Sequence, residues 1–395
     1  MKVVLAGYGS RGDVGPCAAV GQELLRRGHD VRMAVAPDML SFVESAGLAA
    51  VAYGPDTQKQ MNAASGFVRL LQNPIRALPD MLQHVTQVWA DKSATLTSLA
   101  NGADVLLAGI NEQALAANVA EHYGIPLAAL HFYPREHSRP DDLIGRVTKQ
   151  AEAAQRRALG LPEAAGLSTV SLEIQAYDEL CFPGVAAKWG QQAGRRPFVG
   201  AVTLELPTDA DEAALSWITA GTPPIYFGFG SNVHLAHPAH TVAMISAACT
   251  QLGERALICS GASDLTDIPH TDHVKIVGAV NHSTIFPACR AVVHHGGAGT
   301  TAAALRAGIP TLVLFSVRLE DQPTWAAVVK QLGVGLGRSF LESTLKTLVA
   351  DLRYVLAPHC DTRAREVATQ MTKPAESLAS AVDLLEDTAR HGRFG

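Results

Sequence analysis

Charge is sparse in this chain: Asp, Glu, Lys and Arg make up 17% of 395 residues and leave a formal net charge of −5. A nucleic-acid surface needs clustered basic side chains, and isolated pairs such as Arg156-Arg157 and Arg195-Arg196 read as solvated faces, so no nucleic-acid partner is expected. Cysteine is also scarce. The six (Cys17, Cys181, Cys249, Cys259, Cys289, Cys360) form no C-x-x-C pair, which argues against a zinc site or a disulfide frame and for structural thiols in a reducing cytoplasm. Long apolar runs are absent too, none reaching the roughly 18 residues that span a bilayer. The opening Met1–Gly7 is too short for a signal h-region and reads as a first strand. What is present is a hydrophobic fraction of 48%, typical of a globular protein. The length predicts two or three domains at about 150 residues each.

Short β-branched runs alternate with helical ones. Strands are expected at Val3–Ala6, Asp30–Ala34, Asp104–Ala108 and Leu127–Leu130, then at Pro224–Gly228, Arg255–Cys259, Val274–Val277, Ala291–His294 and Thr311–Phe315. A helix is expected from Pro16 to Arg27, ended by Gly28. This alternation predicts an α/β fold: two doubly wound, Rossmann-like domains facing a central cleft, with ligands beyond the carboxyl ends of the strands. The domains are expected at 1–205 and 206–374, joined through the Pro- and Gly-containing stretch Arg195–Asp211. A last helix after Pro374 (375–395) is expected to pack back on the first domain.

The most informative motif is His294-His295-Gly296-Gly297-Ala298-Gly299-Thr300-Thr301, between a strand and a helix. Small residues there let a phosphate approach backbone N–H groups, where the helix dipole favours negative charge. A tight turn that binds nothing is the plain alternative. The first strand ends in Gly7-Tyr8-Gly9-Ser10-Arg11-Gly12-Asp13, which has the G-x-G-x-x-G spacing. No acidic residue closes the second strand to hold a ribose, although Asp38 lies a little further on, so the dehydrogenase reading is weakened. Asp13 is either a cap at a helix start or a carboxylate that takes a proton from a hydroxyl. Phe227-Gly228-Phe229-Gly230-Ser231 offers a second glycine turn and a hydroxyl. Asp321-Gln322 suits vicinal sugar hydroxyls, because it sets acceptors beside donors. His131 and Phe132, with Asn111 and Glu112, either line an acceptor pocket or belong to the core. The same choice applies to Phe67, Met81, His84 and Trp89.

Taken in order, Gly-Ser-Arg-Gly-Asp, Phe-Gly-Ser, Val280-Asn281-His282, His-His-Gly-Gly-Ala-Gly-Thr-Thr and Asp-Gln resemble a GT-B glycosyltransferase over nearly the whole chain. The closer resemblance is to antibiotic and mycobacterial glycopeptidolipid transferases that use UDP- or dTDP-sugars. It implies Asp13 as general base; Ser10, Ser231, His295, Gly297, Gly299 and Thr300 on the diphosphate; Val280 on the base through its backbone; and Asp321 with Gln322 on the donor sugar. It further implies transfer of a hexose or deoxyhexose with inversion, and no metal or other cofactor. The acceptor would be a hydrophobic hydroxyl-bearing lipid, lipopeptide or polyketide, met in the cytoplasm or at the inner face of the membrane. A nucleotide-sugar epimerase and a catalytically dead nucleotide-binding protein are the alternatives. Three departures mark this chain. No aromatic residue stands near Gly278 to stack the base, Ala303 replaces a ribose-binding Glu, and the segment Pro134–Leu161 looks short. Asp209-Ala210-Asp211 and His270-Thr271-Asp272-His273 look like metal motifs, but their loop positions favour structural roles.

Overall fold

A computed structural model describes residues 1–57, 59–60, 74–134, 143–162, 170–189, 194–230, 237–261, 263–265, 267–316 and 321–392. They fall into two compact units: Met1–Tyr177 with Gly184–Leu204 and Pro374–Gly395, and Asp178–Pro183 with Glu205–Lys373.

The first unit runs β1 (Lys2–Ala6), α1 (Arg11–Arg26), β2 (Asp30–Val35), α2 (Leu40–Glu44), β3 (Ala49–Ala52), α3 (Pro74–Ala100), β4 (Val105–Ala108), α4 (Gln113–Tyr123), β5 (Leu127–His131), α5 (Leu143–Ala158) and β6 (Val170–Gln175). Its sheet has the order β3-β2-β1-β4-β5-β6, and every neighbouring pair is parallel. The second unit runs α6 (Ala210–Thr219), β7 (Ile225–Gly228), α7 (Pro238–Leu252), β8 (Ala256–Cys259), β9 (Val274–Val277), α8 (His282–Ile285), β10 (Ala291–His294), α9 (Ala298–Ala307), β11 (Thr311–Phe315), α10 (Asp321–Gln331), β12 (Gly335–Ser339), α11 (Leu345–Val355) and α12 (Pro358–Ala368). Its parallel sheet, β12-β11-β10-β7-β8-β9, repeats the same winding. In each unit the direction of winding reverses between the first and fourth strands: β1 and β4, then β7 and β10. Those reversals are the switch points where an open parallel sheet accepts ligands.

Helices on both faces bury the central strands, which is why these read as continuous apolar runs. Val3, Val4, Leu5 and Ala6 are fully buried, as are Val292 and Val293. A polar knot ties the helices over the first sheet. Gln155, itself buried, accepts from Trp89 Nε1 at 2.7 Å and Asn118 Nδ2 at 2.8 Å, and donates to Leu115 O at 3.0 Å and Ser93 Oγ at 3.1 Å. Trp89 is thereby a packing residue. The final helix, α13 (Pro374–His391), lies against α1, where Arg27 meets Asp383 at 2.6 Å and His29 meets Glu386 at 2.8 Å.

Three strands carry no expectation from sequence: β3, β6 and β12. All lie at sheet edges. Edge strands bury less, so they need no unbroken apolar run. Ala49-Ala50-Val51-Ala52 has weak β propensity, and β12 contains Gly335 and Gly337. A Cβ at Gly337 would sit 2.5 Å from that of Ala326, so glycine is what lets β12 approach α10. The first helix also begins earlier than Pro16. A capping box starts it at Ser10, and Pro16 is carried inside it.

Candidate active site

The chemistry-bearing residues of each unit gather at its switch point. In the second unit β10 delivers His294 and His295 into a turn where Gly296 has φ +96°, a conformation that favours glycine. A Cβ on Gly296 would lie 2.9 Å from Val313 Cγ1 and 3.0 Å from the carbonyl of Gln322. Gly297 then caps α9 with extended geometry. The first N–H groups of a helix have no intrahelical acceptor, so those of Ala298, Gly299 and Thr300 point out of its N-terminus. Thr301 already returns its N–H to Gly297 O at 2.9 Å. Beyond Gly299 there is open space even for a side chain.

The His295 ring lies between two bare stretches of backbone. A Cβ on Gly230 would come within 2.9 Å of its Cε1, and one on Gly297 within 2.6 Å of its Nε2. Gly230, at φ +87°, belongs to the turn after β7, so the ring bridges the two strands of the switch point. Burial pushes the His295 pKa down to about 4, against a weaker pull from the Gly228 backbone, and the imidazole is neutral at pH 7. His294 is fully buried, and its Nδ1 accepts from Gly296 N at 3.0 Å, so the remaining proton sits on Nε2. It braces the turn. His282 is likewise lowered to about 4 by burial, stacked on Phe286 with ring centroids 4.5 Å apart.

Val280 is buried in a cluster with Tyr226, Phe286 and Ala304 of α9; Ala303 packs against the same cluster. The loop that carries it is held from below. Asp211 accepts from Asn281 N at 2.8 Å, from Thr208 N at 2.8 Å and from Thr208 Oγ1 at 2.9 Å. Within the Asp-Ala-Asp triplet, Asp211 therefore ties the loop to the start of α6. Asp321 opens α10, and Gln322 behind it turns inward: its Oε1 accepts from Ser316 N at 3.0 Å. The amide oxygen is thus spent on the chain after β11. Ser231 lies outside the described residues.

In the first unit the first turn of α1, just after β1, presents Asp13. Its Oδ2 accepts from Ser10 N at 2.7 Å and Ser10 Oγ at 2.8 Å, and Gly12 N donates to the same hydroxyl at 3.2 Å. Gly9, at φ +128°, leaves room for the carboxylate, which a Cβ there would strike. Ser10 is thus committed to the helix cap together with Asp13. Across the switch point Asn111, in the turn after β4, donates to Tyr8 O at 3.2 Å and to Asp13 Oδ1 at 3.3 Å. Asp38 is turned elsewhere, accepting from Thr57 N at 3.0 Å and from Thr57 Oγ1.

Glu112 is buried, with Lys92 Nζ at 2.8 Å and the Tyr53 hydroxyl at 2.5 Å. The Lys92 ammonium sits 3.3 Å from the centre of the Tyr8 ring, a cation–π contact. Glu112 therefore works inside the fold, beneath Asn111. His131 and Phe132 are also mostly buried, the former 3.9 Å from Glu173, which Arg196 pairs at 3.0 Å. Lys92 and Tyr53 are invisible to sequence reasoning: an isolated Lys in a helix and a lone Tyr after a short strand carry no local signal. Phe67 lies outside the described residues. Met81 and His84 are half-buried on α3, His84 3.3 Å from Gln60.

Among the described residues no group of three or more His, Cys, Asp or Glu could hold a metal, and His273 instead meets Ser246 O at 3.1 Å. No helix among them is long and apolar enough to cross a membrane. All six cysteines are free, and only Cys259 is partly exposed.

The model of the glycosyltransferase family 28 N-terminal domain matches residues 3–139, and that of the erythromycin biosynthesis protein CIII-like C-terminal domain matches residues 256–384. An uncharacterized glycosyltransferase of Mycobacterium tuberculosis is 57% identical over all of both chains. The vancomycin aglycone glucosyltransferase of Amycolatopsis orientalis is 32% identical over 98% of this chain and 97% of its own. Among solved structures, the glycosyltransferase VinC in complex with dTDP aligns over 99% of this chain and 100% of its own with a TM-score of 0.69 at 21% identity. The calicheamicin glycosyltransferase CalG4 aligns over 99% and 98% with a TM-score of 0.71 at 16% identity, so the fold is the GT-B fold. The chain belongs to the GT-B glycosyltransferases of the family 28 and erythromycin CIII-like type.

Proposed function

We propose that this glycosyltransferase moves a hexose or deoxyhexose from a UDP- or dTDP-sugar to a hydroxyl of a lipid, lipopeptide or polyketide, with inversion and without a metal. The observation that carries the reading is the His295 ring seated between Gly230 and Gly297 beside the start of α9. That arrangement offers a neutral donor and bare N–H groups to a diphosphate. Val280 would meet the base through its backbone, Gly297, Gly299 and Thr300 the phosphates, and Asp321 the sugar. Ser231 of the neighbouring turn and Gln322 join them in this reading. The dTDP in VinC and the Ala at position 303 favour a deoxyribose donor.

In the reaction the acceptor oxygen forms a bond to the anomeric carbon, and its proton passes to the Asp13 carboxylate. The bond from that carbon to the β-phosphate oxygen breaks, and the electron pair leaves on the nucleoside diphosphate. Negative charge grows on that oxygen, where His295 and the N-terminus of α9 stabilise it; losing one such donor typically costs about 3–4 kcal/mol of barrier. Attack from the face opposite the leaving group inverts the anomeric centre. Asn111, Glu112, His131 and Phe132 are the first unit's candidates for the acceptor; of these Asn111 is exposed. A lipid acceptor would bring the enzyme to the inner membrane face.

Thermal unfolding with UDP, dTDP and GDP tests the donor class. A ligand at 100 times its dissociation constant adds about 2.7 kcal/mol of stability. A rise in melting temperature with dTDP or UDP, and less with GDP, is expected. No shift with any of them contradicts the reading.

A further inference from the structure

We propose that Asn111 is the positioning residue of Asp13: its side-chain amide spans the first unit's switch point, fixes the carboxylate and holds it ionised. The proposal rests on the reading of Asp13 as the base. Asn111 Nδ2 has two partners, the Tyr8 carbonyl at 3.2 Å and Asp13 Oδ1 at 3.3 Å. Both can only accept, so a nitrogen with two protons is what the place requires. An aspartate here would set its oxygens against a carbonyl and a carboxylate. With Oδ2 taken by Ser10 N and Ser10 Oγ, the carboxylate is gripped from both sides, and its rotation is fixed.

The turn that carries Asn111 is itself anchored. Gly109 N donates to Ala6 O at 2.8 Å, tying the end of β4 to the end of β1. Glu112, the next residue after Asn111, is locked by Lys92 and Tyr53. Tyr8, whose carbonyl Asn111 holds, packs its ring on the same ammonium and gives its hydroxyl to Pro55 O at 2.7 Å. The buried ion pair thus supports both ends of the amide bridge.

Titratable and charged groups stand around Asp13, beside its donors on Ser10 and Asn111. Cys17 on the same helix is buried and pushed up to about 12, so it stays a neutral thiol. Burial also raises the Tyr8 phenol, which stays neutral. Arg11 extends over the Phe42 ring at 5.3 Å. Lys92 faces Glu112, and the two charges offset each other.

The test is carboxyl NMR on protein labelled with [13C]aspartate, with Asp13 assigned by its loss in Asp13→Asn. A donor to the ionised form lowers a carboxyl pKa and a second carboxylate raises it. Asn111→Ala should therefore lift the Asp13 midpoint by about half a unit, and Asn111→Asp should lift the pair's upper midpoint by more than about one unit. Asn111→Ser keeps a small polar group and is the second variant should Asn111→Asp fail to fold; it should lift the midpoint less than Asn111→Ala does. A midpoint that stays within about 0.2 unit of wild type in the folded variants overturns the proposal. Failure of the base reading shows separately, as sugar transfer that survives Asp13→Asn.

Discussion

At the scale of single residues, the histidines of the second unit make the clearest statement. His282 and His295 are held near 4 by burial, and His294 well below its ordinary value. A base whose folded pKa lies below its unfolded one contributes stability above the unfolded value. That contribution is lost as pH falls from about 6.5 toward 4, because the unfolded chain binds the extra protons. Melting temperature should therefore drop through this window. A diphosphate against His295 favours the charged ring, so dTDP should protect more at pH 5 than at pH 7, and His295→Ala should abolish the difference. Unfolding scans with and without dTDP between pH 4.5 and 7.5 measure it. A dTDP effect that is the same at both pH values in wild type would show that the ring stays neutral, and dTDP affinity unaltered in His295→Ala would remove it from the phosphate site. Histidine, glycine and aspartate are legible here because, in the proposed reading, the chemistry demands those residue types at a strand-to-helix turn. The inward turn of Gln322 is not, because its partner Ser316 is six residues away and only the fold sets their angle.

At the scale of elements, central strands announce themselves, while of the edge strands β9 does and β3, β6 and β12 do not. Ala291–His294 and Thr311–Phe315 are buried on both faces and stand in the sequence as apolar runs. Alternating β6 is covered on its outer edge by the stretch around Phe198, through Gln175 N to Pro197 O at 2.9 Å. That pairing is long-range and leaves no local trace. The start of α1 shows a competition between signals: the Ser10–Asp13 capping box outweighs Pro16, the residue at which the sequence pattern alone would begin the helix. Beneath the switch point, α3 lends Lys92 to Glu112. Removing one partner strands a buried charge, which typically costs about 3–5 kcal/mol. Lys92→Ala should show such a loss in urea unfolding, and the double variant Lys92→Met with Glu112→Leu should recover much of it. Single and double variants of equal stability would show the pair to be uncoupled.

At the scale of the whole molecule, two units share one winding. In the proposed reading their switch points do different work, proton removal in the first and diphosphate capture in the second. The alternation of strands and helices is enough to read this winding, since a parallel sheet needs crossover helices. What the order of motifs cannot supply is the acceptor. The described residues of the first unit bury His131 and Phe132, leaving no side chain there that names the molecule to be glycosylated. The most direct measurement of the central claim is the rate of nucleoside diphosphate release with donor and acceptor, in wild type and Asp13→Asn, alongside dTDP affinity in both. General-base catalysis contributes about 10²–10⁴-fold, so the rate should fall by that factor while dTDP affinity stays unchanged. A variant that transfers sugar within about threefold of wild type, against that 10²–10⁴ expectation, would contradict the account.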